Sequence, residues 1–194
     1  IGRLIECMKL FRDKRRKDAP VPKIYQEDED PVPVYLTKLQ AGEFSFRVPI
    51  AIPDTCKLEV YWLAMPGESK ECIDEEFFNF LNDWCKKDMF FSKNPPRWES
   101  PYRWMPGTKM NENHPIIQTV KQAGEDVVHR SLNIKGAPYP CDLFVFNLYG
   151  DTPGIILGPG GGNAHGEDEF VIIEDLIQLT GIYACTAVEW CGVE

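Results

Sequence analysis

The chain has 194 residues, of which 43% are hydrophobic and 26% are charged, and its formal net charge is −9 at pH 7. This composition is typical of a globular protein and argues against a collagen-like, fibrous or disordered chain. The acidic balance disfavours duplex nucleic acid as a partner because phosphates would be repelled, and the apolar runs are too short to span a membrane.

The first predicted element is a helix from the N-terminus to about Lys17, because apolar residues recur there at helical spacing. The stripe consists of Ile1, Leu4, Ile5, Met8 and Phe11. A loop rich in proline and acidic residues follows from Asp18 to Pro33. Since the chain begins in the middle of this pattern, without Met and without a signal peptide, we expect a fragment or a processed product.

Alternating β-rich segments predict strands at Val34–Leu39 and Lys57–Leu63. The segment between them, Arg47 to Pro53, carries two prolines and predicts a turn or an edge segment. A second helix follows with Ser69 as its cap. Its apolar face is formed by Ile73, Phe77, Phe80, Leu81 and Trp84. With a third strand at Arg97 to Met105, this half predicts an α+β layer with helices on one face of an antiparallel sheet.

A linker at Pro106 to His114 separates this half from the next. Pro115 then begins a third helix, Asp142 to Tyr149 is ambiguous between strand and helix, and Gly154 to Leu157 predicts a short buried strand. The chain ends in a last helix. Its inward side is predicted to carry Leu176, Leu179, Tyr183, Ala187 and Trp190. Alternating helices and short apolar strands favour an α/β layer in this second half.

Seven cysteines occur, and no two of them have C-x-x-C spacing. An odd number without such a motif favours reduced thiols in a cytoplasmic protein over a disulfide framework. Three of them lie in apolar helical patterns, and we expect those to be buried as small hydrophobes. These three are Cys72, Cys85 and Cys185.

The stretch from Gly158 to His165 (GPGGGNAH) is the most informative segment. Several glycines after a strand allow the backbone to approach a ligand closely, although a mobile loop has the same composition. No G-K-[ST] follows the glycines, and an acidic stretch stands where a dinucleotide-binding helix would begin. His165 is either a metal ligand, with the acidic residues 167–169 orienting it, or an ordinary surface histidine. Neither His114 nor His129 obviously completes a metal site.

The segment Gly154–Val193 resembles the C-terminal signature of the M20 metallopeptidases, a family that includes acetylornithine deacetylases, succinyl-diaminopimelate desuccinylases and aminoacylases. The shared pattern is an apolar strand, GPG, a histidine, an acidic turn with an aromatic residue, and a last helix. Ile52-Pro53-Asp54, followed by Met65-Pro66-Gly67-Glu68, is similar to the pattern in the lid domain of these enzymes. The resemblance implies a lid or dimerisation domain over 1–112 and a C-terminal segment of the catalytic domain over 113–194.

The resemblance further implies a zinc hydrolase with two metals per complete active site, cobalt or manganese being possible, and a homodimer formed through the lid. Its substrate would be an N-acyl amino acid or a short peptide, with neither nucleic acid nor membrane as a partner. His165 matches the last metal ligand of the family. The other ligands and the general-base glutamate are expected outside this chain, since Glu75-Glu76 falls inside the lid helix and is predicted to face solvent.

Three further residues correspond to substrate-binding positions of the family. Arg103 matches an arginine that binds the substrate carboxylate, for which a planar bidentate donor is suited, although an ordinary strand-edge arginine is equally compatible. Gly160 and Gly161 match the backbone that lines the substrate pocket. The chain alone is expected to be inactive. The alternative is a non-catalytic dimerisation or binding fragment that lacks the metal site, because one ligand does not hold zinc tightly.

Overall fold

The computed structural model describes residues 1–25, 27–42 and 52–193. They form a mixed α+β fold, as the sequence predicted, with five α-helices and two small antiparallel sheets. The helices are α1 (Gly2–Asp18), α2 (Lys70–Lys87), α3 (Pro115–Val128), α4 (Leu143–Tyr149) and α5 (Ile173–Cys191), and the strands are β1 (Val34–Ala41), β2 (Cys56–Trp62), β3 (Gly161–Gly162) and β4 (Phe170–Val171). A 3-10 turn covers Lys23–Tyr25.

The chain divides into two compact units. Unit 1 comprises Ile1–Gly107 with Pro138–Pro140, and unit 2 comprises Thr108–Ala137 with Cys141–Glu194. The predicted division into a lid domain and a catalytic segment is a functional one and stays a prediction.

In unit 1, α1 and α2 pack beside the antiparallel pair β1–β2, whose register sets Val34 opposite Trp62. Of the apolar stripe predicted for α1, Met8 and Phe11 lie in the core with Phe77 and Leu81 of α2, whereas Ile1 is exposed. Leu58, Val60 and Trp62 alternate along β2 and pack against this cluster. Ser69 caps α2 as predicted: its side chain accepts a hydrogen bond from the backbone N–H of Cys72.

Arg15, at the C-terminal end of α1, is 1% exposed and is the buried charge of unit 1. Its guanidinium donates to both carboxylate oxygens of Glu68 at 2.7 and 2.8 Å, to Glu76 at 2.8 Å and to the carbonyl of Leu63 at 3.2 Å. A buried cation requires such partners because desolvation of an unpaired charge is costly. The network ties α1 to α2 and to the turn after β2.

The prediction that Glu75 and Glu76 both face solvent is wrong for Glu76. Its carboxylate is largely buried and lies 2.8 Å from Arg15 and 2.7 Å from Lys14. Glu75 is exposed. The two side chains point apart because consecutive residues of a helix are separated by about 100° around its axis.

The third strand predicted at Arg97 to Met105 is also wrong: residues 97–105 form no strand. Pro101 interrupts the segment and has no N–H to donate to a ladder. Side-chain contacts, not strand pairing, hold residues 97–105 in place. Trp98 packs edge-on against Phe77, with ring centroids 5.5 Å apart, and the Tyr102 hydroxyl donates to Glu59 of β2 at 2.5 Å. The proline-containing segment Arg47 to Pro53 lies mostly outside the described residues.

In unit 2, α3 and α5 pack side by side. The two helices meet near Gly181 of α5, where a Cβ would be in ordinary van der Waals contact, 3.4 Å from Val127 of α3. One on Gly124 of α3 would lie 3.8 Å from Ile182 and only 2.4 Å from Leu132. His114 caps α3 by accepting the N–H of Ile116 at its Nδ1, at 3.3 Å, ahead of Pro115 in the first turn.

Two predictions for unit 2 are wrong. The segment Gly154 to Leu157 is neither a strand nor buried, and Ile156 is exposed. Of the five residues predicted to face inward on α5, Leu179 is buried, whereas Leu176, Tyr183, Ala187 and Trp190 are exposed. The sequence pattern could not select the inward side because apolar residues occur on most sides of this helix. Asp142 to Tyr149, left open by the sequence, contains the helix α4.

All seven cysteines lie in described parts of the chain and are free. Cys85 is buried as expected, but Cys72 and Cys185 are exposed. Among the described helices, none has the length and apolar character that crossing a membrane would require.

Candidate functional site

The glycine-rich segment and the acidic turn form a small antiparallel hairpin. Gly161 pairs with Val171 and Gly162 with Phe170, and the N–H of Ile172 donates to the carbonyl of Gly160 at 2.8 Å. Residues 163–169 therefore form the tip of the hairpin. His165 lies at this tip and is exposed.

Glycine is required in β3 by contact with β4. A Cβ on Gly161 would lie 2.2 Å from the carbonyl oxygen of Phe170, and one on Gly162 would lie 2.7 Å from the Phe170 ring. Real Cβ atoms do not approach other atoms this closely. The glycines thus allow the two strands to approach each other, a structural role that the sequence reasoning did not distinguish from ligand approach.

Three non-glycine residues at the tip have left-handed backbone angles: Asn163 (φ 57°), His165 (φ 64°) and Asp168 (φ 55°). Such angles are uncommon outside glycine, although Asn, Asp and His adopt them more readily than other residues. Local bonds hold the turn: the N–H of Gly166 donates to the carbonyl of Asn163 at 2.7 Å, and the N–H of His165 donates to the carboxylate of Glu169 at 3.4 Å. This arrangement fixes the backbone at the histidine.

Two side chains of α5 hold the segment that leads into the hairpin. The carboxylate of Asp175 accepts the N–H of Gly160 at 3.0 Å, and the hydroxyl of Tyr183 donates to the carbonyl of Leu157 at 2.8 Å. Both residues escaped the sequence reasoning as contributors to the site. Of the two, only Asp175 could have been noticed in the sequence, because it is an acidic residue in the first turn of a helix. Such a residue usually stabilises the positive end of its own helix.

The three residues expected to bind substrate are placed as follows. Gly160 has both backbone groups engaged, with Asp175 and with Ile172, so a substrate would meet its Cα surface rather than a free N–H. Gly161 is in β3 and is exposed. Arg103 is exposed and belongs to unit 1, whereas His165, Gly160 and Gly161 belong to unit 2.

Among the described residues, His165 has fewer neighbouring donors than a zinc ion needs. A tight zinc site takes three or four protein ligands. Within residues 1–25, 27–42 and 52–193, no group of three His, Cys, Asp or Glu side chains is arranged to hold a metal ion. The carboxylate of Glu169 contacts His165 by accepting a hydrogen bond from the backbone N–H of the histidine. The described residues therefore do not form a metal site by themselves.

No family model matches the chain. The chain is similar to the N-formyl-4-amino-5-aminomethyl-2-methylpyrimidine deformylase of Bacillus subtilis (strain 168), with 24% identity over 158 residues. The match covers 73% of this chain and 35% of the relative, so the chain spans about a third of the length of the curated protein that it matches.

Proposed function

We propose that this chain is part of a hydrolase of the deacylase type, which removes an acyl group from an amide nitrogen. The similarity to a deformylase over 73% of the chain carries this proposal. In such a reaction water adds to the amide carbonyl and the C–N bond breaks, which yields a carboxylic acid and an amine. Because the match covers 35% of the relative, the complete activity would belong to a longer polypeptide.

The residues expected from the M20 resemblance give the finer proposal. His165 is one ligand of a zinc site whose remaining ligands and general base come from outside the described residues. Its presentation at the tip of an anchored hairpin supports this role, because a ligand must be held in a fixed direction. Arg103 would bind a substrate carboxylate in an N-acyl amino acid or a short peptide.

The second candidate is a non-catalytic dimerisation or binding fragment. It is favoured by one observation: the described residues form no group of three metal-ligating side chains around His165. On this proposal the isolated chain would bind zinc no more tightly than a surface histidine does. The homodimer through the lid stays a prediction under either candidate.

The test uses the complete polypeptide encoded by the source gene, assayed for release of formate or acetate from N-formyl and N-acetyl amino acids and from an N-formyl aminomethylpyrimidine. We expect hydrolysis that a chelator abolishes and zinc restores. His165→Asn should lower kcat by at least about 100-fold, as loss of a metal ligand or its immediate support does, and should reduce bound zinc. Asparagine is chosen over alanine because it tolerates the left-handed angle of this position.

His129→Asn is the matched control, since His129 is also exposed and left-handed (φ 55°) but lies at the end of α3. It should leave activity and zinc content unchanged. A His165→Asn enzyme with full zinc content and full activity would remove the metal assignment. A complete polypeptide that hydrolyses none of these amides would remove the deacylase proposal and leave the binding fragment.

A further inference from the structure

Helix α5 has an exposed side without charge. We define the α5 apolar face as Ile173, Ile177, Thr180, Ala184, Ala187 and Val188. At 100° per residue these six side chains fall within one arc of about 100° around the helix axis. All six are exposed, with Ile173 at 72%, Ile177 at 62% and Val188 at 50%.

The charged residues of α5 lie elsewhere on the helix. Glu174, Glu189 and Asp175 lie about 90°, 150° and 170° from the centre of the α5 apolar face on the helical wheel. A helix that borders solvent normally shows charged and polar residues there, whereas a helix that is apolar on nearly all sides belongs in a protein interior. The α5 apolar face therefore has the composition of a buried surface.

The contacts within unit 2 cover the other sides of α5. Ile182, which is buried, lies near Gly124 of α3, and its position on the wheel is roughly opposite the α5 apolar face. Asp175 and Tyr183 hold the segment that precedes the hairpin. Among the described residues of unit 2, none of these contacts reaches the α5 apolar face.

The residues just before the helix are also apolar and exposed. Phe170 and Val171 of β4 are each 53% exposed, and Ile172 joins them to Ile173 at the start of α5. Large exposed apolar patches mark interfaces, whereas single scattered apolar side chains do not. Its small central residues, Thr180 and Ala184, would allow a facing layer to approach the helix backbone closely.

We propose that the α5 apolar face packs against an uncharged, apolar layer of secondary structure supplied by another part of the same polypeptide. Two observations select this occupant. The face has no charged residue for a partner of opposite charge to recognise, and about two thirds of the deformylase relative lies outside the match, which is ample length for such a layer. This proposal rests on the proposed function in placing the chain within a longer hydrolase.

Consecutive residues of α5 provide the probe. Ala184→Cys places a thiol on the α5 apolar face, and the native Cys185 is exposed about 100° away, on the side that carries Glu174 and Glu189. Maleimide labelling of both sites is followed by peptide mass spectrometry, in the 194-residue chain and in the complete polypeptide. We expect both sites to react freely in the short chain. In the complete polypeptide, position 184 should react at least about tenfold more slowly, because labelling then requires local opening.

Equal labelling of position 184 in both proteins would overturn the proposal, as would a complete polypeptide no longer than this chain. Protection of position 184 in the short chain, together with dimers in light scattering, would overturn it in favour of a second copy. Ala184→Glu gives an independent measurement: it should lower the urea midpoint of the complete polypeptide but not that of the short chain. An inactive polypeptide with position 184 protected would refute the proposed function and leave this inference intact.

Discussion

Arg15 carries one positive charge that Glu68 and Glu76 share, and it joins three segments that are distant in sequence. Burial acts to raise the pKa of Glu68, but the hydrogen bonds from Arg15 and from the N–H of Met65, with the Arg15 charge, outweigh it and lower that pKa. The folded state therefore favours the ionised carboxylate. This contribution to stability is fully present above the ordinary glutamate pKa and is lost as the pH falls through the lowered value.

Glu68→Gln should consequently destabilise unit 1 by about 1.5–3 kcal/mol at pH 7, since it removes the charged acceptor of two hydrogen bonds from Arg15. The difference from the unchanged chain should shrink as the pH falls below the usual glutamate range. Urea unfolding at pH 7 and at pH 3 to 4 measures this. Glu75→Gln, at an exposed position of the same helix, is the control, and an equal loss in both variants would contradict the role assigned to Arg15.

Arg15 lies in the basic last turn of α1, and the local sequence did not predict its burial. Its acidic partners are 53 and 61 residues away, and nothing in the local pattern connects them. The same limit applies to Asp175 and Gly160, which are 15 residues apart. His165 was found because its residue type and the neighbouring glycines are visible locally.

At the scale of elements, the hairpin β3–β4 depends on the absence of a side chain at Gly161. Gly161→Ala should break the pairing, because the new Cβ would meet the carbonyl oxygen of Phe170 at 2.2 Å, where no side-chain rotation relieves the contact. We expect amide protection from residue 160 to 172 to fall by about tenfold or more in hydrogen exchange.

Gly158→Ala is the matched variant, since a Cβ there meets nothing within 4 Å. It should leave the exchange pattern unchanged. Retained protection in Gly161→Ala would show that the glycines of β3 serve something other than the approach of the two strands.

Helices with a strong periodic pattern were predictable, and segments between prolines were not. Helices α1, α2 and α3 follow from their apolar stripes, and α2 also from Ser69. The segments 97–105 and 154–157 are apolar enough for strands, but Pro101 and the anchoring of Leu157 by Tyr183 determine their paths. The length of α5 could be predicted from the sequence. The side of α5 that is buried could not, because apolar residues occur on most sides of the helix.

At the scale of the molecule, the two units differ in how much they bury. Most buried apolar side chains of the described residues belong to unit 1, around Phe11 and Phe77. In unit 2 only a few side chains, such as Ile117 and Ile182, are equally enclosed in the described structure. Because buried apolar area is the main source of stability, we infer that unit 2 of the isolated chain is the less stable one.

Hydrogen exchange of the 194-residue chain in increasing urea should therefore show α3 and α5 opening before α1 and α2. Phe77→Ala should lower only the later transition, by about 3–5 kcal/mol, as truncation of a buried phenylalanine does. A single transition shared by all four helices, shifted as a whole by Phe77→Ala, would contradict this expectation.

The spacing of the buried residues on α1 limits how related sequences can change in length. Cys7, Phe11 and Arg15 are separated by four residues each and lie on one side of the helix. An insertion or deletion of one residue between them would rotate part of that side by about 100° and carry the guanidinium away from Glu68 and Glu76. Homologous sequences should therefore have no insertion or deletion between positions 7 and 15. Gaps in their alignments should fall instead in the irregular stretch between α2 and α3.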